Sequence, residues 1–391
     1  MPYCADELRI LAAAALRSFA LGLISVGIGI SLSDAGLPLA WIGAIFTAAL
    51  LAGGVLSGLS GRISQRLGRR RSLMLFAGAM AAGGLLLSTG SLVWVAVAAL
   101  FATFSPSGKD VGPMLPLEIA SLAEVLGALR RTQSYARYNL VSVLLSSLGA
   151  LAAAYLPPGR AAALALGGVG LAMLVPYSGL SRAVEPKSGD KVQHAEGLHR
   201  SRRRVYQLTA LFSVDALAGG LVVQGIVAVW LRTRFGTPIS LIGPLFFLTN
   251  LAAAFSQLAA PWLARRIGLL ATMVFTHLPS NVLLFAVAFA PNFPVAAGLL
   301  VARGLLSQLD VPTRQAYTMA LVDPGERAAA AGVTSSVRGT ASAVSPVLTG
   351  LAMGMSAYGL PFAVAGALKS AYDLALFFVF RRVPLGDAER S

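Results

Sequence analysis

The sequence predicts an all-α polytopic membrane protein with twelve transmembrane helices in two homologous halves of six. Three observations predict this fold class: an apolar composition, a row of apolar segments of helix length, and a repeat at a fixed offset. Of the 391 residues, 56% are hydrophobic and 12% are charged, and the mean hydropathy is +0.74. Soluble domains are about 45–50% apolar and about 25% charged. A water-soluble enzyme and a disordered chain are therefore both excluded.

Each apolar segment is long enough to cross a bilayer, which takes about 20 residues of helix. Most connections are short and carry Gly or Pro, for example Pro157-Pro158-Gly159, which end the helices on either side. The predicted helices are 10–32, 39–60, 72–89, 92–118, 134–156, 160–180, 206–230, 239–262, 269–290, 294–320, 328–352 and 357–380.

One connection is long and polar, and it separates six helices from six. It covers residues 181–204 and is rich in basic side chains. The predicted organisation is an N-terminal half over 1–180, a central loop over 181–204 and a C-terminal half over 205–391.

The basic residues show how the chain lies in the membrane. There are 31 Lys and Arg against 16 Asp and Glu, a net charge of +15. They gather in the even-numbered loops and at both ends, whereas the odd-numbered loops hold Arg160, Arg232 and Arg234. Cytoplasmic loops carry the excess of Lys and Arg, so we expect both termini and the central loop in the cytoplasm of a cell (cytoplasmic) membrane. Basic residues that bind nucleic acid would instead cluster with aromatic residues on one domain, so nucleic acid is not an expected partner.

A repeat at an offset of 200 positions relates the two halves. Each matched pair lies in the corresponding helix or loop, and the pairs follow in order. Because each half has an even number of helices, both halves share one orientation, which places a substrate site at their interface. The matched segments are 41–43 with 241–243, 65–68 with 265–268, 110–111 with 310–311, Ser142 with Ser342, and Leu148 with Leu348.

The loop between helices 2 and 3 carries the most specific motif. Residues 61–71 read GRISQRLGRRR, and Gln65 stands where the motif has an acid; the second copy keeps only Arg266 and Gly268. With Arg303 and residues 323–327, this loop resembles the major facilitator superfamily of secondary transporters. The antiporter signature of that family, a Gly-Pro near the end of helix 5, is absent.

The resemblance implies a loop that holds the outward-open state and releases when the transporter switches. Gly61 and Gly68 permit a tight turn, and the arginines can bind helix carbonyls and acids. Glu118 or Glu124 could supply the acid that Gln65 lacks; plain positive-inside anchoring is the alternative. The residues predicted for this loop latch are Gly61, Gln65, Arg66, Gly68, Arg69, Arg70 and Glu118.

Ionisable residues inside the helices are the candidates for function, because a charge at mid-bilayer costs at least about 2.5–3.5 kcal/mol. Helices 4 and 10 carry Gly and Pro at matching positions, which is the sequence pattern of a transport site. Lys109, Asp110, Asp310 and Arg314 lie there. Asp310 is the first choice for proton coupling and Asp110 the second; the alternative is that both acids form local structural pairs with their basic neighbours.

The family's cavity is lined mainly by helices 1, 4, 7 and 10, so the resemblance adds residues from helices 1 and 7. Arg17 and Asp215 are expected to pair as a gate, and Arg303 to meet an anionic substrate or to snorkel outward. The residues predicted for the substrate cavity are Arg17, Lys109, Asp215, Gln224, Arg303 and Arg314.

Three residues of helices 9 and 12 are expected to be structural. Lys369 and Asp373 are four apart and could neutralise each other. His277 is expected to pack, and the alternative is that it shuttles protons. Arg338 in helix 11 could join the network of helices 4 and 10, or it could form a structural pair.

The residues and the resemblance together predict a proton-coupled secondary transporter that works by alternating access, as a monomer, on a small anionic or zwitterionic molecule. There is no P-loop, and the three histidines are scattered, so no ATP, metal or other cofactor and no enzymatic activity is expected. The alternatives are a multidrug or metabolite efflux antiporter and a non-transporting sensor or scaffold on the same fold.

Overall fold

A computed structural model describes residues 5–126, 128–185, 201–323 and 326–383. Most of the predicted central loop, Pro324 and Gly325 of the motif after helix 10, and Arg390 at the C-terminal end lie outside these residues. Within them the secondary structure is helical and contains no strand.

The helices follow one another with short connections, and the 3-10 helix Arg182–Val184 follows α7. In chain order they are α1 (Ala5–Asp34), α2 (Leu39–Leu67), α3 (Arg69–Ser88), α4 (Leu92–Leu100), α5 (Met114–Val125), α6 (Ala128–Ala152), α7 (Arg160–Ser178), α8 (Arg202–Gly220), α9 (Gln224–Phe235), α10 (Ile239–Ile267), α11 (Leu269–Val287), α12 (Phe293–Leu306), α13 (Asp310–Leu321), α14 (Arg327–Ala343), α15 (Ser345–Gly354) and α16 (Leu360–Phe380).

These helices account for the twelve predicted spans once four interrupted spans are joined. The pairs α4–α5, α8–α9, α12–α13 and α14–α15 each form one span with a break. By length and composition alone, nine segments of the described residues could cross a membrane. The segments missing from that nine are the span broken over 101–113, the arginine-bearing α6, and the broken α14–α15.

Several helices extend beyond their predicted ends. The first begins at Ala5 rather than residue 10, and the second ends at Leu67 rather than residue 60. The apolar pattern marks only the part of a helix in hydrocarbon, which is about 30 Å thick. Polar turns that continue the helix at the membrane surface do not show this apolar pattern, so the predicted helix ends too early or begins too late.

The chain divides into two compact units. The first consists of Met1–Lys191 with Val223–Phe247, and the second of Val192–Val222 with Leu248–Ser391. In the first unit α9 packs along α1, and an added Cβ on Gly29 would meet Val229 and Gly225.

The predicted repeat is visible in the turns that follow α2 and α10. Gly68 and Gly268 each have a φ of 84°, and the backbone N–H of each donates to the carbonyl four residues earlier. A residue with a Cβ is strained at this φ. The same turn, made by glycine at the same position of the repeat, therefore follows the second helix of each half.

Small residues bring helix backbones into contact within each unit, as is common in membrane bundles. In the first unit, an added Cβ on Gly149 would meet the carbonyl of Phe19 on α1. In the second unit, a Cβ on Gly220 would meet the carbonyl of Ser342 on α14. The glycines therefore set how closely these helices approach.

We expect Gly170→Ala to lower the free energy of unfolding by about 1–3 kcal/mol, the usual cost of overpacking a core. A Cβ at Gly170 on α7 would meet backbone atoms of Ala77 and Ala81 on α3. Gly168→Ala is the matched control, because this exposed glycine on the same helix has nothing within 4 Å of an added Cβ. It should be neutral or stabilising by up to about 1 kcal/mol. Thermal unfolding in detergent measures both, and equal transitions would contradict the prediction.

Candidate functional site

The centre of the first unit is the guanidinium of Arg17, which lies in the middle of α1 with only 1% of the residue exposed. Its Nε lies 2.8 Å from Oδ2 of Asp110, and its Nη2 lies 2.5 Å from Oε2 of Glu118. A buried guanidinium needs such partners, because taking a charge out of water costs several kcal/mol. One arginine therefore joins α1 to the break in the fourth span, through Asp110, and to α5, through Glu118.

Two tyrosines complete the shell around Arg17 and Glu118. Arg17 donates to the hydroxyl of Tyr138 at 2.7 Å and to that of Tyr177 at 3.2 Å. Both hydroxyls in turn donate to the carboxylate of Glu118, each at 2.6 Å. Glu118 is fully buried and accepts from three donors. The network thus connects α1, α5, α6 and α7, and its hydrogen bonds satisfy Glu118 without solvent.

The charges of this network do not balance. Asp110 and Glu118 present two carboxylates to the one guanidinium of Arg17. In a medium of low dielectric an uncompensated charge is costly unless a proton, an ion or water reaches it. Of the two acids, Asp110 has the more accessible side chain, 13% exposed against 0% for Glu118.

The break over residues 101–113 positions Asp110. Gly108 has a φ of 70°, which favours glycine, and Oδ1 of Asp110 accepts from the N–H of Gly112 at 2.8 Å. The carbonyl of Pro106 accepts from the N–H of Gly225 at 2.8 Å, and that of Gly108 accepts from the hydroxyl of Ser146 at 2.7 Å. Non-helical backbone at membrane depth needs partners of this kind.

A small cavity opens beside this break. Its volume is about 30 Å³, and its lining includes Arg17, Asp110, Phe76, Met80 and Phe104. Such a volume holds about two water molecules. Asp110 therefore borders a space that water can occupy, whereas Glu118 is not part of the lining.

Two other predicted cavity residues also lie in the first unit. Gln224, the first residue of α9, donates to the hydroxyl of Ser25 at 2.9 Å and lies against Gly108. Lys109 is exposed. Asp110, which the alternative interpretation paired with Lys109, has an ion-pair contact with Arg17 at 2.8 Å.

The second unit is built around a carboxylate instead of a cation. Asp215 on α8 is buried, and Nζ of Lys369 lies 2.5 Å from its Oδ1. Its Oδ2 lies 3.3 Å from Nη1 of Arg338 and 3.5 Å from Nη1 of Arg314. Arg17 and Asp215, which the sequence analysis paired with each other, thus each find charged partners in their own unit.

Asp310 and Arg314 form the local pair that was the alternative reading of helix 10. Nη1 of Arg314 lies 2.6 Å from Oδ2 of Asp310, one turn earlier on α13. Arg303 on α12 is half-buried, and its Nε is buried without a hydrogen-bond partner among the described residues. Nη1 of Arg338 on α14 also belongs to this network, through its contact with Asp215 at 3.3 Å.

The pairing expected within helix 12 is wrong, whereas the structural role expected for these residues stays a prediction. Lys369 pairs with Asp215 rather than with Asp373, and His277 does more than pack. Nδ1 of His277 lies 3.0 Å from both oxygens of Asp373, and the amide of Asn281 donates to Asp373 at 2.7 Å. The spacing of Lys369 and Asp373 suggested a pair on one helix, but each side chain has a nearer partner on a neighbouring helix.

The loop latch contacts an acid that the sequence analysis missed. The backbone N–H groups of Arg69 and Arg70 donate to Glu185 at 2.6 and 3.1 Å, so that this carboxylate lies at the N-terminus of α3, where negative charge is favoured. The side chain of Arg69 donates to the carbonyl of Val184 at 2.8 Å and lies 3.3 Å from Glu124.

Assigning Glu118 to the latch is therefore wrong, because its carboxylate binds Arg17, and Glu124 is the acid of α5 that the loop contacts. Gly61, Gln65 and Arg66 are exposed. A basic residue at a helix start and an acid after α7 are too far apart in sequence for the pattern alone to relate them.

Known proteins share both sequence and fold with this chain. The family model of the Major Facilitator Superfamily matches residues 10–346. A relative from Saccharomyces cerevisiae (strain ATCC 204508 / S288c), Uncharacterized membrane protein YJR124C, is 25% identical over 358 residues, 80% of this chain and 80% of that protein.

Two solved structures show the same fold. The nucleoside transporter NupG has a TM-score of 0.73 at 13% identity, over 96% of this chain and 99% of that chain. The D-xylose-proton symporter has a TM-score of 0.67 at 14% identity, over 97% and 98%. With a family match over most of its length, this multi-pass membrane protein is a transporter rather than an enzyme, and it belongs to the Major Facilitator Superfamily.

Proposed function

We propose that the chain is a secondary active transporter that couples proton movement to the transport of a small anionic or zwitterionic molecule by alternating access. The observation that carries the proposal is the buried network in which Asp110 and Glu118 share Arg17 beside a water-sized cavity. A single proton would neutralise that network. A buried charge that one proton can remove is what proton coupling requires.

Asp110 is the better candidate for the proton, ahead of Asp310. It lines the cavity, and its side chain is the more exposed of the two, 13% against 6%. Glu118 is closed off, because three donors occupy its oxygens. The sequence analysis ranked Asp310 first, and the cavity beside Asp110 supports the opposite order.

The coupling step follows from the geometry. A proton on Oδ2 of Asp110 cancels the attraction to Nε of Arg17, which then keeps Glu118 as its carboxylate partner. The broken segment 101–113 loses its ionic contact with α1. Protonation therefore changes how firmly this segment is attached to α1, and the transport cycle can use that change.

The charged side chains around Asp215 in the second unit support the proposal that the substrate carries a negative charge. Four basic side chains face three acids, and the buried Nε of Arg303 has no hydrogen-bond partner among the described residues. Arginine suits carboxylate and phosphate groups, which it can bind with two parallel hydrogen bonds. The basic residues are Arg303, Arg314, Arg338 and Lys369, and the acids are Asp215, Asp310 and Asp373.

We further propose that both termini face the cytoplasm of a cytoplasmic membrane and that the transporter acts as a monomer, with the first and second halves over 1–180 and 205–391. The basic residues of the even-numbered loops support the orientation. The contact of Arg69 with Glu124 and Glu185 supports a loop that braces one state of the cycle.

Asp110→Asn is expected to abolish proton-driven accumulation of substrate while leaving the protein folded, since asparagine keeps the shape but cannot take up or release a proton. A thermal-shift screen of small carboxylates, phosphates and amino acids on purified protein identifies the substrate, because a ligand of the folded state raises its apparent stability. Uptake of that compound into proteoliposomes is then measured with and without an imposed pH gradient.

Asp34→Asn is the matched control, because Asp34 is an exposed acid at the end of the same helix α1 as Arg17, with 44% of its side chain accessible. It should accumulate substrate as the unmodified protein does. Accumulation by Asp110→Asn that still follows the pH gradient would contradict the role of Asp110. If stable protein moved no compound of a broad panel, secondary transport would be contradicted and a sensor or scaffold favoured. Export of hydrophobic cations against proton entry would favour the efflux antiporter.

A further inference from the structure

His277 lies buried between two carboxylates in the second unit. Its Nδ1 is 3.0 Å from Asp373 on α16, and its Nε2 is 3.9 Å from Oδ1 of Asp215 on α8. The side chain of His277 is 4% exposed, and those of the two acids are 5% or less. An imidazole with a carboxylate on each side is well placed to hold one proton or two.

The ring has a distinct role for each nitrogen. When Asp373 is ionised, its carboxylate only accepts hydrogen bonds, so Nδ1 of His277, at 3.0 Å, carries the proton of the neutral ring. The lone pair of Nε2 then faces Oδ1 of Asp215, and 3.9 Å is too long for a hydrogen bond. A second proton, on Nε2, would turn this repulsive contact into a donor aimed at Asp215.

Asp215 divides its cation partners between its two oxygens. Arg314 and Arg338 approach Oδ2, at 3.5 and 3.3 Å. Lys369 approaches Oδ1, at 2.5 Å, and His277 faces that same oxygen. A protonated His277 and Lys369 would therefore compete for one oxygen, while the two arginines keep the other.

Other ionisable groups lie near His277 and Lys369. They belong to the helices that pack against α11 or that contribute a side chain to the network around Asp215. Tyr372 on α16 contacts the His277 ring edge-on, with 6.2 Å between centroids. The remaining groups are Lys369 and Asp373 on α16, Asp215 on α8, Arg303 on α12, Asp310 and Arg314 on α13, and Arg338 on α14.

We propose that His277 is a second proton-binding residue of this transporter, and that its Nε2 proton displaces Lys369 from Oδ1 of Asp215. The proton comes from water and stays on the ring, so the network gains one positive charge. That charge favours binding of an anion, and by linkage a bound anion favours the proton. The role in transport rests on the proposed function, whereas the proton-binding step does not.

The chain allows His277 to be observed alone, because it contains three histidines and the other two are His194 and His199 of the central segment. The full-length variant His194→Gln/His199→Gln, labelled with 15N-histidine in liposomes, gives the imidazole signals of His277. Solid-state NMR across about pH 5 to 8, where histidine normally titrates, should show Nε2 unprotonated at the high end and protonated at the low end. Nδ1 should stay protonated throughout.

Lys369→Met in this background removes the competitor for Oδ1, so a larger fraction of the His277 rings should carry a proton on Nε2 at each pH of the series. Asp34→Asn, an exposed acid of the first unit, should leave the titration unchanged. An Nε2 that remains unprotonated over the whole range, with and without Lys369, would overturn the proposal. This result is independent of flux: proton-driven uptake could fail while His277 titrates, and His277 could stay neutral while Asp110 couples uptake to protons.

Discussion

Arg17→Met is expected to lower the free energy of unfolding by about 3–5 kcal/mol, the usual cost of breaking a buried ion pair from one side. Methionine matches much of the length and apolar volume of the arginine stem. It leaves Asp110 and Glu118 without their guanidinium, and it removes the donor to Tyr138 and Tyr177. Two like charges then remain in a site whose other neighbours are largely apolar. Chemical unfolding in detergent measures the loss.

Arg9→Met provides the matched control on the same helix. Arg9 pairs with Asp6, but 41% of the Arg9 side chain is exposed and Asp6 also accepts hydrogen bonds from Ser181, so the loss should be no more than about 1 kcal/mol. The double variant Arg17→Met/Glu118→Gln should recover part of the loss, since it removes one of the two stranded charges. If Arg17→Met unfolds like Arg9→Met, or if the second substitution deepens the loss, Arg17 does not compensate the carboxylates as described.

The membrane-spanning helices were predictable because a helix buried in a bilayer requires a long apolar segment, and the sequence contains twelve such segments. The breaks in two of these spans, α4–α5 and α12–α13, were predictable for another reason, because Gly and Pro occur there at matching positions of the repeat. The local pair Asp310–Arg314 was also accessible, because residues four apart share one helix face. These features depend on residues that are close in sequence or related by the repeat.

The partners of Arg17 were not predictable, because Glu118 is 101 positions away and Tyr177 is 160 positions away. Charges inside helices indicate that partners must exist, but they do not tell which helix faces which. The two tyrosines were not predicted as partners of Arg17, because a search for opposite charges does not consider neutral hydroxyl groups. Arg17 and Asp215 were therefore expected to pair across the halves, whereas the charged partners described for each lie in its own unit.

The repeat contains a signal that could have found part of this network. Tyr138 and Arg338 are 200 positions apart, and each contacts the central charge of its unit, Arg17 or Asp215. The two residues occupy the same position of the repeat. Tyr138 suits the cation Arg17 in the first unit, and Arg338 suits the anion Asp215 in the second. Comparing halves for equivalent positions, rather than identical residues, would have marked Tyr138 as the counterpart of the charged Arg338.

The second large effect is expected for Asp215→Asn, which should also cost about 3–5 kcal/mol in the free energy of unfolding. Asp215 compensates Lys369, Arg314 and Arg338 at once. Asparagine keeps the volume and removes the charge, so three cations then face one another with only Asp310 and Asp373 close by. Unfolding in detergent, followed as for Arg17, measures the loss.

A double-mutant cycle tests this prediction most directly, because it measures the interaction energy between Asp215 and Lys369. Lys369→Met leaves Asp215 with two arginines, so it should cost less than half as much as Asp215→Asn. In the double variant Asp215→Asn/Lys369→Met the most buried cation of the three is gone, so part of the loss should be recovered. Equal losses for the two single variants would mean that Asp215 and Lys369 form an isolated pair. The unequal losses expected here would identify Asp215 as the anion around which the second unit is built, as the first is built around Arg17.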